Sequence, residues 1–423
     1  MIRRLTYLLA LLYCFVWLRI PNLAGVALPF QRLVAWAALA VVLVLVATKG
    51  SLRVGASART FLKIAGLFLA FMLVNLVQKL AYGANFYPLY FVMDFSKYVA
   101  IFVVAFLIYY ALISRAAAED GFIQRLVLSG VCSTLLVYVF LTLYFLGFRT
   151  ENELLAPSFG GALGVWPTDS WWPRLAGTAA EPQQLSVLLV TPLLLMLSRE
   201  RIRRYWPMAG LGTLAILLSQ SKFALVSCGF VMLYLLLVYQ RRRKALLACM
   251  IFAVPPLLLS LARLPTFADT LTQGLSAGAI VERLENLALM LSVIRDHAWF
   301  GIGPGQYGVY RGTILFGDPL YAPGYAPNMD FLKIFAEMGI AGFVAVLLMI
   351  GILMRIALGS YKRVSGATRD RYLAFFLGAL AILCNMLIGY EFLHVFFWIN
   401  IGALMYLAEI SSREARSAST VAQ

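Results

Sequence analysis

Apolar runs long enough to cross a bilayer recur along almost the whole chain, and nothing else in the sequence restricts its fold as strongly. A hydrocarbon core needs about 20 apolar residues per crossing helix. About twelve candidate runs are found, near residues 5–20, 33–48, 61–79, 88–113, 121–147, 182–198, 205–220, 222–240, 245–262, 334–357, 372–389 and 392–409. The apolar share of 62% exceeds the roughly 45–50% of soluble domains. The expectation is an all-α polytopic membrane protein of about 12 transmembrane helices, forming a single integral domain over residues 1–423 with no separate soluble part.

Lys and Arg set the orientation, because short cytoplasmic loops carry them in excess. With the N-terminal "MIRR" inside, the same side collects "KGSLRVGASARTFLK", Arg115 and Arg125, "RERIRR", "RRRK", the basic residues between Arg355 and Arg371, and Arg413 with Arg416. That is the larger part of all 35 Lys and Arg, so topology accounts for most of the net charge of +16. The basic residues are scattered over short loops rather than gathered in one patch, which argues for the lipid bilayer and against nucleic acid as a partner. Both termini are expected in the cytoplasm. The five cysteines all fall in expected spans and none forms a C-x-x-C pair, so neither disulfides nor a zinc site is expected. The basic, briefly apolar N-terminus reads as a retained first helix rather than a signal peptide, because "LAGVAL" is a weak cleavage site.

Alternation then puts two long segments, 148–181 and 263–333, on the outer side, where lids and binding loops are to be sought. In the second, "AIVERLENLALMLSVIRDHA" predicts a helix over about 279–297, with Ile280, Leu284, Leu287, Leu291 and Ile294 recurring at helical spacing. Its many charges rule out a span and suggest a helix lying on the membrane surface or packed on the bundle. The following "GIGPG" predicts a turn just after His297, since Pro lacks an amide proton and Gly is costly in a helix. Its G-x-G pattern is not a nucleotide fingerprint, which needs a βαβ unit around it.

At these residues the chain resembles a family. "RDHAWFGIGPGQYG" followed by "NMDFLKIFAEMGIAGFVAVLLMI" is similar to the O-antigen ligase and polymerase superfamily, as are the upstream "RLAGTAAEPQQLSVLL" and "LLSQSKFALV". The four motifs occur in the family's order between Arg174 and Ile350. The resemblance implies a GT-C-type glycosyltransferase with two large periplasmic loops in a bacterial inner membrane. It implies a donor glycan on undecaprenyl diphosphate, a glycan acceptor that differs by subfamily, and, for polymerases, a chain-length regulator protein as a further partner. Neither a cofactor nor a metal is expected. Aligning on Glu337, Gly339 and Gly342 puts Asn328 where ligases carry a histidine proposed to activate the acceptor hydroxyl. An amide orients a hydroxyl but does not take its proton, so the expectation is a polymerase of lipid-linked repeats. The alternatives are a ligase to lipid A core and an O-oligosaccharyltransferase to protein.

A departing lipid diphosphate gains negative charge, which positioned cations stabilise. Arg174, Lys222, Arg283 and Arg311 are the expected diphosphate-binding residues, each also explicable as an interfacial anchor, a snorkelling cation or a solvated charge. Glu181, beside Pro182 at a helix start, is the first candidate for the base; Asn328 and His297 complete the expected catalytic set. His297 is equally explained as a helix C-terminal residue stabilised by the dipole. Asp94 and Lys97 form an i, i+3 pair inside the fourth span, where charge is a functional candidate by default, with mutual neutralisation the simpler account. A flippase or transporter of lipid-linked sugars is the rival class, disfavoured because the unusual charges lie mostly in outer loops and the halves show no internal similarity. A structural scaffold is the third.

Overall fold

The computed structural model describes residues 2–15, 19–20, 28–49, 54–82, 86–114, 118–147, 165–166, 173–179, 181–239, 278–321, 325, 327, 329–387, 389 and 392–421. The fold is mostly helical. The helices in chain order are α1 Ile2–Leu11, α2 Phe30–Lys49, α3 Ala56–Tyr82, α4 Pro88–Ser114, α5 Ala118–Phe145, α6 Pro182–Leu188, α7 Val190–Met196, α8 Ile202–Leu218, α9 Lys222–Val238, α10 Gly278–Asp296, α11 Tyr307–Phe316, α12 Asp330–Tyr361, α13 Gly366–Met386 and α14 Val395–Val421. Among the described residues, five stretches are long and apolar enough to cross a membrane: Ala56–Ala81, Pro88–Ser114, Ala118–Phe145, Asp330–Tyr361 and Val395–Arg413. Leu33–Thr48, Pro182–Met196 and Phe223–Val238 are shorter apolar helices. The run expected near 245–262 lies outside the described residues. The chain is a polytopic membrane protein.

The central layer is α4 against α14, with α3, α5, α12 and α13 around it. Trp398, Tyr109, Tyr234, Tyr372 and Tyr406 are among the largest side chains wholly sealed in the core. At the end of the bundle where α4 finishes, Arg371 at the start of α13 reaches Glu119 (2.7 Å), Asp120 (3.1 Å) and Glu200 (3.0 Å). One guanidinium thus fastens α13 to α5 and to the α7–α8 connection.

Two expectations need correction. The first span was expected over 5–20, but α1 ends at Leu11 and Leu12–Cys14 form a turn. Tyr13 and Cys14 are fully buried, and the polar backbone released by the turn is taken up inside the protein. The Cys14 amide donates to Ser129 Oγ (3.0 Å), and the Cys14 carbonyl accepts from Thr178 Oγ1 (2.5 Å). Non-helical backbone survives at membrane depth only where protein groups satisfy it in this way. The sixth span, expected over 182–198, keeps helical geometry through Leu189 between α6 and α7 but loses one ladder bond there. Pro192 has no amide proton for the carbonyl four residues earlier, that of Leu188, and this carbonyl receives the Cys14 thiol at 3.8 Å. The two irregularities are complementary.

The all-α expectation is amended by two short antiparallel ladders, β1 Arg19–Ile20 with β2 Leu28–Pro29, and β3 Val165–Trp166 with β4 Arg174–Leu175. From β4 the chain makes a turn at Gly177 (φ +56°), where a Cβ would collide with Val137. This turn carries Thr178 into the core beside Ser133 (2.7 Å). Thr178→Val removes both of its hydroxyl contacts and orphans the Cys14 carbonyl, a loss of about 1–3 kcal/mol for a buried unsatisfied acceptor. The expected result is a lowered thermal midpoint in detergent; an unchanged midpoint would show that the Cys14 turn is held by other means.

Candidate active site

Two clusters occupy the end of the bundle where α4 begins and α9 and α12 start. The first forms around the short connection from α8 to α9. Gln220 adopts φ +51° there, and Ser221 caps α9 by accepting from the Phe223 amide at 3.2 Å. Arg174, held in β4 by its pairing with Trp166, donates from Nε to the Ser219 carbonyl (3.4 Å), while Gln220 Nε2 donates back to the Pro173 carbonyl (3.4 Å). Arg174 is therefore seated three residues before Lys222, the first residue of α9. The Lys222 side chain lies outside the described set.

Glu181 joins this cluster from the other direction. It is the N-cap of α6, in extended conformation with Pro182 following, and α6 packs on β4, α8 and α9. Its carboxylate does not cap the helix but accepts from Gln183 Nε2 at 2.5 Å. Beneath it, Ser186 and Ser219 share a hydrogen bond of 2.9 Å that ties α6 to the end of α8. Arg174, Glu181 and the start of α9 thus share one corner.

The second cluster is built on a break in α12. Gly339 sits at φ +66°, ψ −171°, outside helical geometry, so the carbonyls of Ala336 and Glu337 lose their partners four residues on. The turn after α10 replaces them: Ile302 N donates to Ala336 O (3.0 Å), Gly303 N to Glu337 O (2.8 Å), and Ile340 N donates to Ala298 O (2.8 Å). The fit is too close for side chains on either strand. A Cβ on Gly301 would strike the Glu337 carbonyl, and one on Gly339 the Trp299 carbonyl. Gln306 clamps the far side of the turn, its amide exchanging two 3.0 Å hydrogen bonds with the Tyr87 backbone just before α4. Asn75 of α3 donates to the Phe300 carbonyl at 2.5 Å.

Under this turn lies a buried ionic group. Lys333 Nζ is 3.6 Å from Asp94 and 3.7 Å from Glu337, with exposures of 12%, 7% and 2% for the three side chains. Asp94 also pairs with Lys97 on its own helix, and Glu337 Oε1 accepts from the Tyr307 amide at 3.1 Å. Lys333 and Glu337 were absent from the expected site residues. Their signal was available, since an ionisable residue inside an apolar run asks for a partner, and the Asp94–Lys97 pair was read without the third member that α12 supplies.

The remaining expected residues fall as follows. The helix predicted over about 279–297 is α10, but its apolar stripe is rotated: Leu284 and Leu291 are half exposed, while Asn286, Met290 and Val293 face the protein. His297 is its last hydrogen-bonded residue, donating from N to Val293 O at 2.8 Å. Its imidazole is pushed below its ordinary value by partial burial first and by Lys79 second, with Asp296 opposing. That is the reverse of what a helix C-terminus does alone. The side chain is neutral near pH 7 and able to accept a proton. Arg311 is 8% exposed. Its Nε donates to Asn286 Oδ1 (3.2 Å) and its guanidinium lies over the rings of Tyr325 (4.2 Å) and Phe316 (5.2 Å), tying α11 to α10. The Arg283 side chain and Asn328 lie outside the described residues. Among the described residues, no group of three or more His, Cys, Asp or Glu could hold a metal ion.

Residues 207–347 match the O-antigen ligase family. The match runs from α8 through the first half of α12, so it takes in Lys222, His297, the Gly301–Gly305 turn, Lys333 and Glu337. It supports the resemblance to the O-antigen ligase and polymerase superfamily. Arg174 and Glu181 precede the matched segment and are brought to it by the fold. No curated protein matches the chain. The family points to glycosyl transfer of the O-antigen ligase kind by a membrane protein.

With only two histidines in the sequence, histidine-selective NMR labelling reads His297 directly once His394 is replaced. Its titration midpoint is expected below the ordinary value of about 6.5, and Lys79→Gln is expected to move it upward. A midpoint above 6.5 would assign the residue to the helix dipole instead.

Proposed function

We propose that this protein is a glycosyltransferase that polymerises undecaprenyl-diphosphate-linked oligosaccharide repeats at the periplasmic face of a bacterial inner membrane, in a GT-C-type architecture. The observation that carries the reading is the seating of Arg174 on the Ser219 carbonyl at the turn that opens α9 with Lys222, at the edge of the O-antigen ligase match. In the transfer, the bond from the sugar's anomeric carbon to the diphosphate oxygen breaks and the diphosphate leaves with the electron pair. The acceptor hydroxyl oxygen forms the new bond, and its proton passes to a base.

Arg174 and Lys222, with Arg283 from α10, would neutralise the charge growing on the leaving group, which is where preorganised cations contribute most. Glu181 stands in the same corner as Arg174 and is assigned the proton. His297, neutral near pH 7, is the second acceptor for that proton, on the side of the Gly301–Gly305 turn. Asn328 would orient the incoming hydroxyl, its amide offering a donor and an acceptor but no basicity. Arg311, enclosed by Asn286 and two rings, is assigned to holding α10 against α11 in the diphosphate-facing loop.

Broken helices and a buried ionic group also occur in transporters of anionic substrates, so a flippase of lipid-linked sugars is the second reading. One assay separates the two. Purified protein given only the lipid-linked repeat is expected to produce a ladder of products on a gel; movement of intact repeat across proteoliposomes without any ladder would favour the flippase. Lipid A core added as acceptor is expected to give no ligated product. Arg174→Ala is expected to cut kcat by roughly 100- to 1,000-fold, the scale of losing one preorganised transition-state contact, with normal protein levels. Wild-type polymer from that variant would remove Arg174 from the mechanism. Activity is also expected to fall on acidification through the depressed His297 midpoint if that imidazole takes the proton, and His297→Gln would then abolish the acid limb; a limb that persists in this variant belongs to Glu181.

A further inference from the structure

We propose that Lys333 is the positioning residue of the outer face, one ammonium among three carboxylates, two of which each hold a different outer element in place. The inference rests on the glycosyltransferase reading for its consequence in catalysis, though not for its structural content. Asp94 and Glu337 lie at 3.6 and 3.7 Å from Nζ, and Asp330, three residues earlier on the same helix, acts on it electrostatically. Glu337 and Asp330 each have a second duty. Glu337 accepts from the Tyr307 amide (3.1 Å) and so holds the end of the Gly301–Gly305 turn. Asp330 accepts from the Phe392 amide (2.7 Å), while the Met329 and Asp330 amides donate to the Gly389 carbonyl (3.2 and 3.0 Å), which together pin the connection from α13 to α14. Asp94 lies on the part of α4 that backs the turn, where a Cβ on Gly305 would strike the Tyr90 carbonyl.

Three carboxylates this deeply buried are stable as anions only with countercharge, and an ionised group left alone in such surroundings takes up a proton or draws in water. Lys97 pairs with Asp94. Lys333 acts on both of the others. Its removal therefore weakens Glu337 and Asp330 together as charge-assisted acceptors, and frees both turns that flank the first turn of α12. Asn328 precedes that helix by two residues in the sequence and Lys333 by five. Misplacing a reacting group by about 1 Å costs on the order of 100-fold in rate.

The test is amide hydrogen exchange at Tyr307 and Phe392 in the full-length protein in nanodiscs, paired with kinetics. Lys333→Met is expected to speed exchange at both amides by roughly tenfold or more, and to lower kcat by roughly 100-fold while leaving the donor KM almost unchanged, since the Arg174 corner is untouched. Lys333→Arg is expected to restore most of both. Glu337→Met should release Tyr307 alone and Asp330→Ala should release Phe392 alone. Those two variants decide the matter if Lys333→Met does not fold. Unchanged exchange at both amides in Lys333→Met, or a turn released by the wrong carboxylate, overturns the proposal. A chain that forms no glycan ladder but shows the expected exchange pattern would remove the catalytic reading while leaving the positioning role standing.

Discussion

The end of the bundle where α12 starts depends on the need to pair every backbone amide and carbonyl away from water. A helix broken at Gly339 exposes two carbonyls, and the turn after α10 supplies the amides that answer them. The arrangement works because glycine occupies both sides of the contact: Gly301 against Glu337, Gly339 against Trp299. Once those strands are in register, the Glu337 carboxylate falls beside the Tyr307 amide and the Lys333 ammonium. The ionic group is thus a consequence of the break as much as a support for it.

The same accounting explains the opposite corner. Pro192 leaves the Leu188 carbonyl without an amide, the turn at Leu12–Cys14 leaves backbone groups of its own, and the two are matched through the Cys14 thiol and the hydroxyls of Ser129 and Thr178. Thr178 is four residues from Arg174. The side chain proposed to meet the diphosphate is therefore aligned by a polar knot in the bundle interior, well away from the chemistry.

Legibility in the sequence followed the range of the interactions. Long helices such as α3, α4 and α5 were evident from apolar length, and α10 from its spacing, because both signals are local. The rotation of α10 was not evident: Asn286 turns inward for Tyr307, Tyr325 and Arg311, and those partners come from 21 or more residues further along the chain. α1 was overextended because apolar length alone cannot register a turn that Ser129 and Thr178 stabilise from elsewhere. In the candidate site, Arg174 and Glu181 stood out beside a recognisable helix start. Lys333 and Glu337 did not, since their meaning lies in Asp94, which is more than 200 positions away. His297 was visible as a residue, but the sign of its titration shift comes from its burial first and then from Lys79 of a distant helix.

The interlock between the Gly301–Gly303 turn and Gly339 also bears on biogenesis. The turn precedes α12 in the chain, so its amides are synthesised before their final acceptors. That end of the molecule can close only after α12 has formed with its break at Gly339. Assembly of that end is thereby ordered along the chain.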